Sequence, residues 1–501
     1  MSPMKISNWL ERALIVCLFL IATFAPHSIA VTQAAWLLGM LLWVIRLAIY
    51  PRPQLLRSPV DYALLGFFII SGVSALFSYS PIVSMGKMRA ASLFTIVFLV
   101  SQNVSSLKLV RLLALTLIAS CMINVFLTAG QLALGKGVKV QGVAPGSPLT
   151  KAIFHTRSTT QPTPIVDGDT IWEVDGKPVD TPEEVAAALA SGSSTATVRI
   201  YRVEWTPELE LPRGKLLPGD TVLAQLGIGG WSRGRDWRAT GFFGHWVTYS
   251  EVLQLIASVV VGLFLTLDRK KSLTGGLLVA AVLGLVFALA MTVTRASWIG
   301  FAVSVMAMLL LASSRRTIVI VALCAVPLVL ASVILLQQKR SIGFFDKSDQ
   351  STSWREVVWR EGFHLLISKP RHLLVGVGMD SIKGHWREWG LFDDGKLPIG
   401  HMHSNLLQLG LERGLPALVV WLILMGVYAR MLWRIIRRTA SENFSRGLAL
   451  GALGGFLGFL TSGMVHYNWG DSEVVMVFYF IMGLCLVVER FTFSRPQQQS
   501  F

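Results

Sequence analysis

Charge is scarce in this chain: Asp, Glu, Lys and Arg make up 15% of its 501 residues, against 53% hydrophobic. That apolar fraction exceeds what a soluble globular core needs, so an ordinary soluble enzyme is excluded. Cysteine is scarcer still. Cys17, Cys121, Cys324 and Cys485 lie inside apolar runs, without paired spacing or a neighbouring His cluster, so neither a disulfide framework nor a zinc site is expected. No cleavable leader is expected either. No small-residue cleavage motif follows the apolar stretch that ends at Pro26, and a second such stretch begins at once, so Met1–Pro26 reads as a retained first span.

Acidic residues number 29 against 45 Lys plus Arg, a net charge of +16. On a soluble protein that excess would suggest a nucleic-acid partner. Here the basic residues sit in short gaps between long apolar runs: Arg46, Arg52 and Arg57; Arg269, Lys270 and Lys271; Arg315 and Arg316; Arg430, Arg434, Arg437 and Arg438. This is the positive-inside pattern of a membrane protein, and no nucleic-acid partner is expected.

A spanning helix needs about 20 mostly apolar residues, and about twelve segments qualify. Five precede residue 132: Arg12–Pro26, Ile29–Tyr50, Val60–Ser78, Met88–Ser101 and Leu107–Gln131. Four lie between 246 and 336: Trp246–Leu267, Gly275–Thr292, Ala296–Ser313 and Ile318–Leu336. The last three are Leu415–Leu432, Gly447–Val465 and Glu473–Val488. With the N-terminus inside, every basic cluster falls in the cytoplasm, as does the C-terminus with Arg490 and Arg495, and both long polar segments fall outside. The expected fold is an α-helical polytopic membrane protein with a small α+β domain inserted in an outer loop. Its parts are helices 1–5 (1–131), the inserted domain (132–205), a linker (206–245), helices 6–9 (246–336), a large outer loop (337–414), and helices 10–12 with a cytoplasmic tail (415–501).

The inserted segment turns abruptly to Gly, Pro, Asp, Thr and Val. Alternating strand patterns bracket a helix that Thr181 caps and Pro182 begins, with Glu183 and Glu184 in its first turn. Together with the Gly168-Asp169 and Asp175-Gly176 turns, this resembles a PDZ domain of the kind found in periplasmic proteases. An insertion from Phe154 to Pro164 replaces the small-residue turn that normally precedes the Gly-Asp step. The Gly-rich stretch that follows interleaves Trp231, Trp237 and Trp246 with Arg233, Arg235 and Arg238. It reads either as an interfacial aromatic belt or as part of a site.

Five of the nine histidines, His364, His372, His385, His401 and His403, share the second outer segment. His401 and His403 are two apart rather than four, and no carboxylate stands at metalloprotease spacing, so no metal and no cofactor is expected. The run HMHSNLLQLGLERGLPALVVWL places His403, Ser404, nine residues and Gly414 at the start of an apolar helix. This resembles the O-antigen ligase and Wzy-type polymerase superfamily. RATGFFGHW, TVTRASWIGF, the stretch from STSWREVVW to GMDSI, and HYNWGDSEV resemble further family segments in the same order. RATGFFGHW lacks the Pro-Asn pair that commonly follows in the family.

The resemblance implies a type C, metal-independent glycosyltransferase acting on the periplasmic face of the bacterial inner membrane. Its donor would be an undecaprenyl-pyrophosphate-linked glycan. Its acceptor would be lipid A-core or another glycan, with a periplasmic protein partner for the PDZ-like domain. By position in the pattern, Arg295, Arg238 and Arg355 are donor pyrophosphate ligands, since a guanidinium fork suits phosphate oxygens. His403 is the acceptor-activating base, His401 its helper, and Ser404 and Asp471 supports. Each has a plainer reading: Arg295 as a snorkelling anchor, Arg355 on a solvated charged face, His403 as a core histidine, Asp471 as a helix cap. Four functions remain open: an O-antigen ligase, a Wzy-type polymerase, a protein O-oligosaccharyltransferase, and a non-enzymatic scaffold or transporter.

Overall fold

A computed structural model describes residues 3–155, 160–190, 194–202, 205–316, 350–440 and 443–493, with 318, 323, 330, 331 and 334 between. The expected span Ile318–Leu336 and Arg495 therefore fall mostly or wholly outside the described residues. The chain divides into two compact units, one of Met1–Val125, Thr240–Ala331 and Phe345–Phe501, the other of Phe126–Ala239 with Ser332–Phe344.

The first unit is helical. In chain order its helices are α1 (Pro3–Phe24), α2 (Ile29–Ala48), α3 (Asp61–Leu76), α4 (Pro81–Ala91), α5 (Thr95–Asn103) and α6 (Leu107–Leu134, which runs past Val125). After the insertion come α9 (Trp246–Leu265), α10 (Leu273–Met291), α11 (Arg295–Ala312), α12 (Gln350–Ile367), α13 (Pro370–Val375), α14 (Ile382–His385), α15 (Phe392–Gly395), α16 (Asn405–Arg438), α17 (Phe444–Ser462) and α18 (Ser472–Phe493). Among the described residues ten helices are long and apolar enough to cross a membrane, with α4 and α5 counted as one continuous span. Of the twelve expected, Asp61–Leu76 is apolar but stops at 16 residues.

Serine and asparagine start several of these helices by accepting the free backbone N–H groups of the first turn: Ser28 from Val31, Ser272 from Gly275, Asn443 from Ser445. α9 and α18 are buried on nearly every side and form the centre. α10 buries one stripe and turns Leu273, Leu277 and Leu283 outward, as a lipid-facing helix must. Between apolar helices in a bilayer, close approach through small residues replaces the hydrophobic drive. α9 and α17 meet in this way: a Cβ on Gly262 would lie 2.3 Å from the Gly451 nitrogen, and one on Gly451 2.5 Å from Val259 Cα. α11 joins through Gly300, where a Cβ would lie 2.7 Å from the Gly458 carbonyl oxygen.

α16 is two helices joined at a break. Gly414 has φ 82° and ψ 165°, and Pro416 follows. Pro416 has no N–H to give the Glu412 carbonyl, its helical partner four residues back. That carbonyl instead accepts from Gly378 N–H at 2.9 Å and Ser74 Oγ at 3.0 Å, and the Leu411 carbonyl accepts from Val377 N–H at 2.8 Å. The expected span at Leu415 is thus the second half of a longer element, whose first half, Asn405–Arg413, belongs to the outer-loop segment.

The second unit contains an antiparallel sheet: β1 (Lys136–Val143), β2 (Ile153–His155), β3 (Thr160–Pro162), β4 (Thr170–Val174), β5 (Lys177–Pro178), β6 (Thr195–Tyr201), β7 (Glu208–Pro212) and β8 (Ile228–Gly234). The order is β3-β2-β7-β6-β4-β1-β8, with β5 paired to β4. Strand alternation buries Ala196, Val198 and Ile200 of β6 and Leu209 and Leu211 of β7, while Thr195, Thr197, Glu208 and Glu210 face outward. α7 (Pro182–Ala190) sets Val185, Ala186 and Leu189 in the same core, and α8 (Val222–Leu226) adds Leu226. The insertion at Phe154–Pro164 forms the β2–β3 hairpin, with β2 paired to β7. Asp175 (φ 50°) and Gly176 (φ 72°) make the tight β4–β5 turn. Buried Asp169 accepts from Arg202 Nε at 2.8 Å and from Val166 N–H at 2.8 Å.

Gly451→Leu should lower stability by about 1–3 kcal/mol or more, because the α9 backbone leaves no room for the side chain. Thermal unfolding in detergent checks this, with Gly276→Leu as the comparison, since a Cβ on Gly276 meets open space and that variant should unfold close to wild type.

Candidate functional site

The turn that leads into α16 carries the two histidines of the recognised motif. Ser404, in extended conformation, caps the helix through Oγ, which accepts from Leu407 N–H at 3.5 Å. His403 before it is held at φ 48°, a left-handed conformation uncommon for residues other than glycine. Such strain persists only where surroundings impose it, and here they do. Trp359 Nε1 donates to the Met402 carbonyl at 2.8 Å, Met402 N–H donates to Gln408 Oε1 at 2.6 Å, and the Met402 side chain is fully buried.

The His401 and His403 rings lie 4.0 Å apart, with the Trp354 ring 4.5 Å from His403 and Tyr467 5.7 Å from His401. His403 N–H donates to His401 Nδ1 at 3.1 Å. In the neutral ring that bond leaves the His401 proton on Nε2, a donor. Burial first, then the charges of Lys383, His466, His245 and Arg355, pushes the His401 pKa down to about 4. For His403 burial, then His401, Arg355, His466 and His245, drive it lower still. Both rings are neutral at pH 7.

These shifts also map the neighbours. Arg355, on α12 beside Trp354, is close enough to depress both histidines. His245 and His466 also act on both rings, and sequence reasoning gives neither a role, although they stand inside the RATGFFGHW and HYNWGDSEV segments. Asp471 precedes α18: its Oδ1 accepts from Glu473 N–H at 3.2 Å and its Oδ2 from Thr248 Oγ1 at 2.5 Å. The cap geometry is thus present, and Thr248, 3.4 Å from His245 Nδ1, joins it to the histidine group.

Behind the site stands Glu251 of α9, 1% exposed and absent from the sequence expectations. Its Oε1 accepts from His466 Nδ1 at 3.0 Å and Ser297 Oγ at 3.2 Å, and its Oε2 from Ser462 Oγ at 2.7 Å and Asn468 Nδ2 at 3.2 Å. Asn405, the first residue of α16, donates to Asn468 at 2.6 Å, which binds the motif helix to the same centre. No pattern of spacing marks Glu251, because its partners are distributed over α11, α17 and the 463–471 loop. Arg295 is half-buried at the first position of α11, two residues before Ser297 and two after Val293, whose φ is 50°. Arg238 is buried in the other compact unit. Among the described residues no group of three His, Cys, Asp or Glu side chains is placed to hold a metal ion.

Residues 279–422 match the family model described as O-antigen ligase. The matched segment contains Arg295, Arg355, His401, His403 and Ser404, and excludes Arg238, Asp471, Glu251 and His466. No curated protein matches the chain. With the ten apolar helices, the family match supports a multi-pass membrane protein with glycosyltransferase activity of the ligase or polymerase type.

His401, with a pKa of about 4 in the folded chain and about 6.5 in the unfolded one, binds its proton only when unfolded across that interval, so stability falls as pH drops through it. Acidification from pH 7 to 5 should cost about 2 kcal/mol through His401 alone. Denaturant unfolding in detergent at the two pH values should show a drop that shrinks by that amount in His401→Gln.

Proposed function

We propose that the chain is an O-antigen ligase of the bacterial inner membrane, with both termini cytoplasmic and its large loops periplasmic. It moves a finished glycan from undecaprenyl pyrophosphate to a lipid A-core hydroxyl. The observation that carries this reading is the buried, neutral His401–His403 pair beside Arg355, at the head of the helix that closes the family-matched segment. The acceptor oxygen attacks the anomeric carbon of the donor sugar, its proton passes to the His403 ring, and the carbon–oxygen bond to the pyrophosphate breaks. A neutral imidazole has the lone pair this requires, and a guanidinium fork binds the leaving oxygens. Arg295 and Arg355 are the cations assigned to that pyrophosphate, Arg238 has the same assignment from the sequence pattern alone, and no metal or other cofactor takes part. Ser404 and Asp471 hold the helix starts that set the geometry. The PDZ-like unit offers a surface for an envelope protein partner.

Polymerase and protein O-oligosaccharyltransferase readings use the same donor and differ in acceptor; a scaffold or transporter would use neither. Deleting the gene and complementing with wild type separates them. Core lipopolysaccharide alone, with long polymer left on the lipid carrier, means ligase. Core bearing a single repeat means polymerase, and an unchanged ladder removes both.

His403→Ala should abolish transfer by purified enzyme, at least about 100-fold, with folding and membrane insertion retained; equal rates for variant and wild type overturn the base assignment. Arg295→Ala should weaken donor use more than Arg295→Lys, since the fork is lost in both and the charge in one only. Full activity in both variants reduces Arg295 to an anchor.

A further inference from the structure

The helices that meet around Glu251 come together again at their other ends. α9 runs from Trp246, next to His245, to Leu265; α11 runs from Arg295 to Ala312; α17 returns from Phe444 to Ser462, which bonds Glu251. At about 1.5 Å per residue each covers about 27–30 Å, close to the thickness of a bilayer core. The ends at Leu265, Ala312 and Phe444 therefore lie on the opposite membrane face from the histidine turn. In the proposed orientation that face is cytoplasmic.

A pocket of about 610 Å³ opens between those ends, lined by Thr266, Ala312, Arg446 and the segment 268–271 among others. Arg269, Lys270, Lys271 and Arg446 supply four cations to it, against the single carboxylate of Asp268. Its shape comes from close helix contact. A Cβ on Gly447 would lie 2.3 Å from Thr266 Oγ1, so α17 begins against the end of α9 and holds Arg446 beside the turn that joins α9 to α10.

Positive-inside topology accounts for basic residues on this face, and at other helix ends the protein binds them itself. Arg46 donates to Glu11 at 2.8 Å, and Arg490 to the carbonyls of Ser101 and Val104 at 3.0 and 2.6 Å. The pocket differs. Among the described residues no carboxylate lies within ion-pair distance of Arg269, Lys270, Lys271 or Arg446, Asp268 included. Half-buried Arg446 is anchored through one terminal nitrogen, which donates to the Ile436 and Thr439 carbonyls at 3.1 and 3.3 Å. Its Nε and second terminal nitrogen bond to none of the described residues, which leaves one edge of the guanidinium fork for an anion.

Lipid-facing side chains begin directly beside these cations. Leu273, two residues after Lys271, is 82% exposed, and Leu310, two before Ala312, is 63% exposed. In a bilayer such faces meet acyl chains. An anion that reaches the pocket while its own hydrocarbon lies along α10 and α11 satisfies both features, and a basic pocket between helix ends on the cytoplasmic side suits a phospholipid head group.

We propose that this pocket binds the phosphodiester head group of an anionic membrane phospholipid, with the fork of Arg446 as the fixed ligand and Arg269, Lys270 and Lys271 closing over it. The site is separate from the histidine turn and stands whether or not the chain transfers glycan.

The test is a titration of the full-length protein with phosphatidylglycerol in neutral detergent, read by native mass spectrometry, with phosphatidylcholine as the uncharged reference and glycerol 3-phosphate as the head group without a tail. Wild type should hold one phosphatidylglycerol at least about tenfold more tightly than phosphatidylcholine. Each basic residue beside an anionic head group corresponds to about fivefold in affinity, so Arg269→Gln/Lys271→Gln should weaken binding by about ten- to thirtyfold. Arg52→Gln/Arg57→Gln removes the same charge from exposed positions outside the pocket and should bind as wild type does. Arg446→Gln should lose at least about tenfold, with Arg446→Lys between it and wild type, because the charge is kept and the fork is lost. The Arg269→Gln/Lys271→Gln variant keeps the test decisive should Arg446→Gln fail to fold. Equal losses in the two double variants overturn the site in favour of general attraction to a basic surface. Displacement by glycerol 3-phosphate at the concentration that phosphatidylglycerol requires overturns the lipid in favour of a soluble phosphate. Wild-type affinity in both Arg269→Gln/Lys271→Gln and Arg446→Gln overturns the pocket altogether.

Discussion

The structure depends on keeping one carboxylate, Glu251, in an apolar interior. An acidic side chain there is tolerated only when its oxygens are hydrogen-bonded, and four groups bond them: His466, Ser297, Ser462 and Asn468. Those groups come from α11, α17 and the loop before α18, so a single hydrogen-bonding requirement fixes three elements around α9. Asn468 then passes the constraint on to Asn405 and the motif turn. The glycine contacts of α9, α11 and α17 act in the same direction, because only helices this close can bring such short side chains to one acceptor.

A second constraint shapes the outer end. Pro416 cannot continue the hydrogen bonding of α16, and Gly414 supplies the backbone conformation that the break requires. The carbonyls released there hold the 376–378 segment, and Met379 and Asp380 directly after it line the same cavity as His401, Lys87, Lys383 and Arg413. The same break lets Asn405–Arg413 run as a polar-faced helix outside the apolar span, with His403 at one end and Arg413 at the other.

Much of this was legible in the sequence because the bilayer imposes strong patterns. Runs of about 20 apolar residues, basic gaps and the abrupt change of composition after Leu134 each have a direct physical meaning. His403, Ser404 and Gly414 were legible through motif spacing, and the helix at Pro182 through its cap residues. The exceptions share a cause. Glu251, His466 and Arg413 act through partners dozens to hundreds of residues away, and no local period or spacing records such pairings. Asp61–Leu76 shows the converse: its sequence reads as a span, yet the helix stops at Leu76 with Ser78 bonded to Ser84 and Ser381. The β2–β3 hairpin was visible only as an insertion, since its pairing with β7 is non-local.

The two histidines differ in what they can do, and the backbone decides the difference. His403 N–H occupies the Nδ1 of His401, so His401 in its neutral form offers a proton from Nε2 and faces the cation-lined cavity. The His403 ring packs against Trp354 and stands outside the lining of that cavity. An acceptor hydroxyl needs a proton taken, and a departing phosphate needs hydrogen bonds given. In the proposed reaction the turn supplies both from adjacent rings, and the left-handed backbone at His403 keeps them 4.0 Å apart while they face different partners. Neutrality at pH 7 is essential to that division, because a protonated pair would repel itself and neither ring could accept. Burial enforces the neutrality, so in the proposed reaction the packing of Met402 and Trp359 beneath the turn sets the state of the rings as well as their position.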